Sequence, residues 1–443
     1  MSDSPRHQAD LVVTTDGPLL TCAAQDGGLG LLEGGAVAAR DGVIVWVGSK
    51  AQAEVEVSLS ESARRVDCGR RVLMPGVVEC HSHPVFAGDR AGEFQMRVTG
   101  SDYEAIARAG GGIMSTVRET RAASPELLLA RGRRHLDWML DYGITTVEAK
   151  SGYGLDTDSE LRLLEVIAEL ARTHPATVVG TFLGAHTVPL EYRGRADDYV
   201  DLVVEEMLPR VAEVKLARFC DVFCEEVAFN LDQSRRVLQA AKAHGLVPKV
   251  HADQLSAGGG AQLAAEMQAI SAEHLDYIDE AGIAALAEAG VTAVLLPGAV
   301  FFLGRTHYAP ARALIEAGVP VAISTDFNPG TCYSENPFLM GTIASCYMGL
   351  SAAEVIVGLT RRAAGALGME GEVGSLALGR RADILVLQSE DYLDLPYHFG
   401  VNPVAAVFKD GLLVRDRSGG LVSAGRSQAA EAKAGGGRID AGA

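Results

Sequence analysis

Leu231-Asp-Gln-Ser-Arg-Arg-Val-Leu-Gln-Ala-Ala-Lys-Ala-His-Gly245-Leu-Val-Pro-Lys-Val-His251 is the stretch that decides the fold. Leu231 to His244 carries apolar residues at helical spacing. Gly245 then supplies the one residue type that takes a left-handed helix-ending conformation without a Cβ clash. Val247 to Val250 follows as a short apolar run, the signature of a strand buried on both faces of a parallel sheet, and His251 closes it. The same order returns in helix Glu280 to Ala289, Gly290 and strand Val291 to Leu296. It returns again in helix Ala311 to Ala317, Gly318 and strand Val319 to Ser324. Further strand candidates are Val77 to His83, Ile144 to Lys150, Thr177 to Gly184, Val222 to Glu226 and Ala269 to His274. The total of eight fits an α/β chain closed into a (β/α)8 TIM-like barrel, which keeps its functional groups where the strands end at the C-terminal face. An open, doubly wound sheet is the structural alternative.

Outward from this centre the texture changes. Asp10 to Thr14, Ala36 to Arg40 and Val43 to Val47 are short β-branched runs, the last two joined by the hairpin dipeptide Asp41-Gly42. Similar runs return at Ile384 to Leu387 and Val404 to Phe408. The expected division is a small β-sandwich-like domain from both chain ends (1–72 with 370–417), a barrel over 73–369, and a Gly/Ala/Ser-rich tail over 418–443 that is expected to be mobile.

The 443 residues are 48% apolar and 22% charged, enough to bury a large core and a second small one. No apolar run reaches the roughly 18 residues of a membrane span, and the start is polar, so a cytoplasmic chain with no membrane partner is expected. The seven cysteines are scattered without metal-finger spacing and are expected as thiols; Cys220 and Cys224, flanking the fourth strand, read as apolar packing. A formal net charge of -18 repels phosphate backbones and makes nucleic acid an unsuitable partner. A small anionic substrate has to be captured against the same field, which calls for an arginine in the pocket.

His81 and His83 sit two apart at the end of the first strand candidate, so their side chains share a face and can share a metal. His251, His274 and Asp326 also stand at strand ends. Barrel closure makes the first and eighth strands neighbours, which explains how Asp326 can approach His81 despite their separation in sequence. Three imidazoles and a carboxylate suit one zinc, iron, manganese or nickel ion with room left for water. Lys150 also ends a strand, where a modified lysine bridging a second metal is conceivable; a contact with Glu148 or support of the first site is the simpler expectation. Gly110 to Gly112 lack the Gly-Lys-Ser/Thr of a phosphate loop and read as an active-site loop.

Met74-Pro-Gly through His83, Phe86-Ala-Gly-Asp-Arg90, Ala109-Gly-Gly-Gly-Ile113, Glu148 through Gly154, Thr181-Phe-Leu-Gly-Ala-His186, His251-Ala-Asp-Gln254 and Thr325-Asp-Phe-Asn-Pro-Gly330 resemble the imidazolonepropionases of the amidohydrolase superfamily. The resemblance implies a single metal, zinc or iron, divalent or trivalent, on His81, His83, His251 and Asp326. It also implies a substrate pocket lined by Arg90, Tyr153, His186, Gln254, Asn328, Gly330 and Thr331, and a homodimer. The implied reaction is hydrolytic opening of 4-imidazolone-5-propanoate to N-formimidoyl-L-glutamate in histidine degradation. A metal-activated water attacks the lactam carbonyl, with Asp326 and His274 as the catalytic residues.

The residue chemistry suits that substrate, because Arg90 can clamp a carboxylate through two parallel hydrogen bonds and Tyr153 can support it or cover the ring. Taken alone, Arg90 reads better as a surface ion pair and Tyr153 as core packing, while His186 reads equally as a donor to the substrate or a satisfied core histidine. Three departures stand out. Glu79 replaces the family's aspartate before the His-x-His pair; Gln254 stands where related ring deaminases carry a proton-shuttling glutamate; and Thr331-Cys332-Tyr333 replaces a Ser-rich turn. A deaminase of another small heterocycle and a catalytically silent metal-binding barrel are the competing readings. Gln254 counts against the first, and the complete ligand set against the second.

Overall fold

A computed structural model describes residues 7–24, 28–100 and 111–419. Part of the glycine loop expected at 110–112 and nearly all of the tail expected over 418–443 lie outside the described residues. Eight parallel strands form one sheet in strict chain order: β1 (Val77–Glu79), β2 (Ile144–Lys150), β3 (Thr177–Ala185), β4 (Phe219–Cys224), β5 (Val247–Ala252), β6 (Ser271–His274), β7 (Thr292–Leu295) and β8 (Val321–Ile323). The ends of the sheet meet just beyond β1 and β8. Ser82 bridges Phe327 in parallel, the Asp326 amide donates to the His81 carbonyl at 3.1 Å, and the His83 amide donates to the Phe327 carbonyl at 2.8 Å. The sheet is thereby a closed (β/α)8 barrel with helices between its strands, and an open doubly wound sheet is excluded.

The glycine punctuation acts as the sequence reading requires. Gly245, Gly290 and Gly318 follow their helices at φ of 81°, 68° and 84°, in the left-handed region where a side chain is strained. Helix Leu231–Ala243 begins at Asn230, whose side chain accepts from the Gln233 amide while Gln233 reaches back to the Asn230 amide. This capping box satisfies two amides that would otherwise be orphaned.

Strand boundaries shift where side chains replace ladder partners. β1 ends at Glu79, so His81 and His83 lie past the strand instead of inside it. The Cys80 and His81 amides donate to Ser324 Oγ at 3.0 and 2.9 Å, and Lys249 Nζ donates to the Cys80 carbonyl at 3.0 Å, so the chain leaves the ladder without losing hydrogen bonds. β4 starts three residues earlier than expected, which places Cys220 and Cys224 within the strand and not beside it; both are buried.

Two further sheets lie outside the barrel. One joins His7–Thr14, Gly35–Arg40, Val43–Ser49 and Val57–Asp67; the other joins Pro18–Leu20, Leu31–Glu33 and Leu73–Pro75 to Ile384–Leu387, Val404–Lys409 and Leu412–Asp416 from the far end of the sequence. Leu11, Val13, Val37 and Val66 of the first share one apolar core with Leu19, Leu73, Ile384, Val386 and Phe408 of the second. The hairpin at Asp41-Gly42 has both residues at positive φ, 51° and 79°, as a tight primed turn demands. No described helix is long and apolar enough to cross a membrane.

Candidate active site

The strand ends converge on a cluster of buried imidazoles and one carboxylate. Ligand atoms of His81, His83 and His251 lie within 4.8 Å of one another, as do those of His81, His274 and Asp326. Asp326 Oδ1 stands 3.4 Å from His81 Nε2 and 3.7 Å from His83 Nε2. The second Asp326 oxygen accepts from the Thr331 hydroxyl at 3.1 Å. Burial holds His81, His83 and His274 well below the ordinary imidazole value, so they are neutral and offer lone pairs. Burial likewise lifts Asp326 to about 7. Asp326 and His274 also adopt positive φ, 53° and 74°, a backbone cost carried at the C-terminal mouth of the barrel.

The donor set fits a cation. Among the described residues, buried ring nitrogens on all four histidines, His81, His83, His251 and His274, lack a well-aligned hydrogen bond, which is costly unless something else satisfies them. Imidazole nitrogens with one carboxylate oxygen suit a divalent transition ion.

A cavity of about 470 Å³ opens above this cluster. Its wall includes His83, His251, His274 and Asp326 together with Arg90, Tyr153, His186, Gln254, Asn328, Gly330 and Thr331, so every residue singled out for the pocket reaches it except His81, which lies deeper and wholly buried. His186 stacks on His83 at 5.2 Å between ring centroids, and its Nδ1 lies 2.9 Å from the Gly152 carbonyl. A carbonyl only accepts, so Nδ1 carries the proton and Nε2 is left as an acceptor. Burial lowers His186 to about 4, which keeps it neutral. Tyr153 is buried 5.4 Å from the His186 ring.

Two of these residues, Arg90 and Asn328, have partners the sequence did not reveal. Arg90 is already clasped by Glu93, with Nε donating to Oε2 at 2.8 Å and Nη2 to Oε1 at 2.5 Å; Glu93 Oε2 also accepts the Gly112 amide at 2.7 Å. The guanidinium edge at Nη1 lies against Gly330, where a Cβ would stand 2.1 Å away. Asn328 works within its own turn: its Oδ1 accepts the Gly330 and Thr331 amides at 2.8 Å each, and its Nδ2 donates to the Asp326 carbonyl and to Thr331 Oγ1. A relay from Asn328 through Thr331 to Asp326 results.

Beneath the imidazoles, His81 Nδ1 meets Glu273 Oε2 at 2.5 Å and His251 Nδ1 meets Asp221 Oδ2 at 2.9 Å. Neither carboxylate was anticipated. The available signal was alternation: Asp221 and Glu273 interrupt apolar strands on the inward face, where an unpaired charge is not tolerated. Glu79 spans the closure seam, accepting from Ser324 Oγ and, at 3.1 Å, from the His81 amide. Burial raises it to about 7. Gln254 lines the cavity with an amide, which cannot act as a base.

The amidohydrolase family model matches residues 100–411. An imidazolonepropionase from Symbiobacterium thermophilum is 49% identical over 418 residues, 92% of this chain and 97% of its own length. One from Shewanella oneidensis is 47% identical over 385 residues, 87% and 94% of the two lengths. Among solved structures, a zinc-bound adenosine deaminase from Xanthomonas campestris aligns with TM-score 0.68 at 22% identity, over 93% of this chain and 94% of that one. A 5-methylcytosine deaminase from Klebsiella pneumoniae aligns with TM-score 0.71 at 16% identity, over 92% and 98%. These distant structures share the fold. High identity sustained along nearly the whole chain says more: the chain belongs to the imidazolonepropionase family of the amidohydrolases.

Proposed function

We propose that the chain hydrolyses 4-imidazolone-5-propanoate to N-formimidoyl-L-glutamate. The observation that carries this reading is one cavity whose wall holds both a cation-binding set of imidazoles with Asp326 and the Arg90 guanidinium, a pairing suited to a small lactam that carries a carboxylate. Zinc or iron held by His81, His83, His251 and Asp326 would supply Lewis acidity and lower the pKa of water from 15.7 toward about 7.

The chain's own groups do the rest. Arg90 binds the propanoate through the edge that Glu93 leaves free, and Tyr153 packs over the flat ring. His186 Nε2 accepts from a ring N–H, and Gln254 offers its amide to the ring's polar edge. Asp326 takes one proton from the attacking water as its oxygen bonds to the lactam carbonyl carbon. His274 steadies the developing oxyanion. The ring carbon–nitrogen bond then breaks and Asp326 returns the proton to the departing nitrogen, so water adds across that bond and nothing else is consumed. Thr331, fixed by Asn328, holds Asp326 in place for both transfers.

The test is to mix purified protein with fresh 4-imidazolone-5-propanoate and follow loss of ring ultraviolet absorbance, with and without a chelator. Metal-dependent loss with formimidoylglutamate as product and no ammonia supports the reading. Survival of the ring under metal-replete conditions overturns the substrate assignment, and ammonia release points to a deaminase.

A further inference from the structure

Five charged side chains, Glu148, Lys150, Asp221, Lys249 and Glu273, lie inside the barrel beneath the imidazoles, each with no exposed surface. Barrel interiors are ordinarily filled by branched apolar residues, and desolvating five charges is costly. The arrangement has a clear centre. Lys150 Nζ donates to Asp221 Oδ2 at 2.7 Å, Glu148 at 3.1 Å and Glu273 Oε2 at 3.1 Å, which uses all three ammonium protons. The same two oxygens, Asp221 Oδ2 and Glu273 Oε2, face His251 Nδ1 and His81 Nδ1. Lys249 holds the other side of the cage, 2.9 Å from Glu148 and 2.9 Å from Glu273 Oε1.

We propose that Lys150 is a positioning residue for the metal centre: by pinning Asp221 and Glu273 it fixes the tautomer and ring orientation of His251 and His81, so that both present Nε2 to the cation. The physical chain is short. A carboxylate can only accept, so the Nδ1 that faces it is the nitrogen suited to carry the proton, and in a neutral ring the lone pair is left on Nε2. Each carboxylate is anchored at its other oxygen, Asp221 Oδ1 by the Val222 and His251 amides and Glu273 Oε1 by Ser271 and Lys249, and among the described residues the lysine that reaches the histidine-facing oxygen of both is Lys150. This use stands against a modified Lys150 bridging two metals, because the unmodified nitrogen with three acceptors has no position left for a carboxylate or an ion. The inference rests on the metal reading above and not on the identity of the substrate.

The experiment compares wild type with Lys150→Gln, using apo-protein prepared with a chelator. Zinc affinity is measured by competition with a chromophoric chelator, and histidine tautomers are read from nitrogen NMR shifts of imidazole-labelled protein at neutral pH. The expected result is zinc affinity lowered about 10- to 100-fold, with Nε2–H tautomers appearing at His81 and His251, while KM at saturating zinc stays near wild type. Unchanged affinity and tautomers with only a lower melting temperature would overturn the proposal. Should Lys150→Gln not fold, Asp221→Asn keeps the side-chain volume and removes one arm of the cage; it should disturb the tautomer of His251 and leave that of His81, and an undisturbed His251 overturns the proposal. A wild-type protein that binds no zinc at all overturns the metal reading along with it.

Discussion

Gly330→Ala is a test of whether Arg90 works as the carboxylate clamp. A Cβ at position 330 would stand 2.1 Å from Arg90 Nη1 and 2.8 Å from its Cζ, whereas such contacts do not fall below 3.0 Å. The guanidinium must therefore retreat by about 1 Å, and it cannot do so freely because Glu93 grips its Nε and Nη2. The substituted methyl thus displaces the only guanidinium edge Glu93 leaves free. Loss of one hydrogen bond to a charged group is worth about 1.5–3 kcal/mol, or roughly a 10- to 150-fold rise in KM. The turnover number should change far less, because Asp326 and His274 are untouched. Initial rates of ring-absorbance loss across a substrate series measure both constants. The same substitution in an Arg90→Ala background closes a double-mutant cycle, and there it should cost almost nothing. An equal rise in KM in both backgrounds would refute the reasoning, since the methyl would then act on the pocket without Arg90.

Other outcomes follow from the same geometry. Asp326→Asn should lower turnover by about 100-fold or more, the scale of a lost general acid–base; near wild-type rates with metal retained, checked by metal analysis, would remove it as the base. Glu93→Gln loosens the grip on Arg90 and on the Gly112 amide, so KM for the anionic substrate should rise about 10-fold, while an uncharged ring analogue binds as before in competition assays. His135 bears on pH stability: buried with Nδ1 2.7 Å from the Pro84 carbonyl, it is lowered by burial to about 4. In the unfolded chain it takes up a proton near its ordinary 6.5, so the unfolded state binds more protons between these values and stability falls as pH drops through that window. The loss is about 2 kcal/mol between pH 7 and 5. Urea unfolding at both pH values should show a shallower pH dependence for His135→Gln, and an unaltered dependence would rule His135 out as its source.

Much of this protein is legible from its sequence. Glycine after each helix, apolar runs of strand length, and His or Asp at the ends of those runs determine the barrel, its count of strands and the polar end that carries chemistry, because each is a local consequence of backbone stereochemistry and side-chain alternation. His81, His83, His251, His274 and Asp326 could be named for that reason. What only the tertiary structure decides is pairing. Arg90, expected as a carboxylate clamp, lines the cavity and is also held by Glu93; Asn328, expected to line the pocket, does so with its amide engaged in its own turn; and Asp221 and Glu273 stand on different strands from the histidines they support, so alternation marks them as inward-facing and not as partners of those histidines. Local propensity reports which residues lie on an inward face. It says nothing of which charges from four separate strands meet there, since that depends on strand tilt and stagger around the closed barrel. Lys150 shows the division most clearly: its place at a strand end and its contact with Glu148 follow from the sequence, and its acceptors Asp221 and Glu273 follow only from closure.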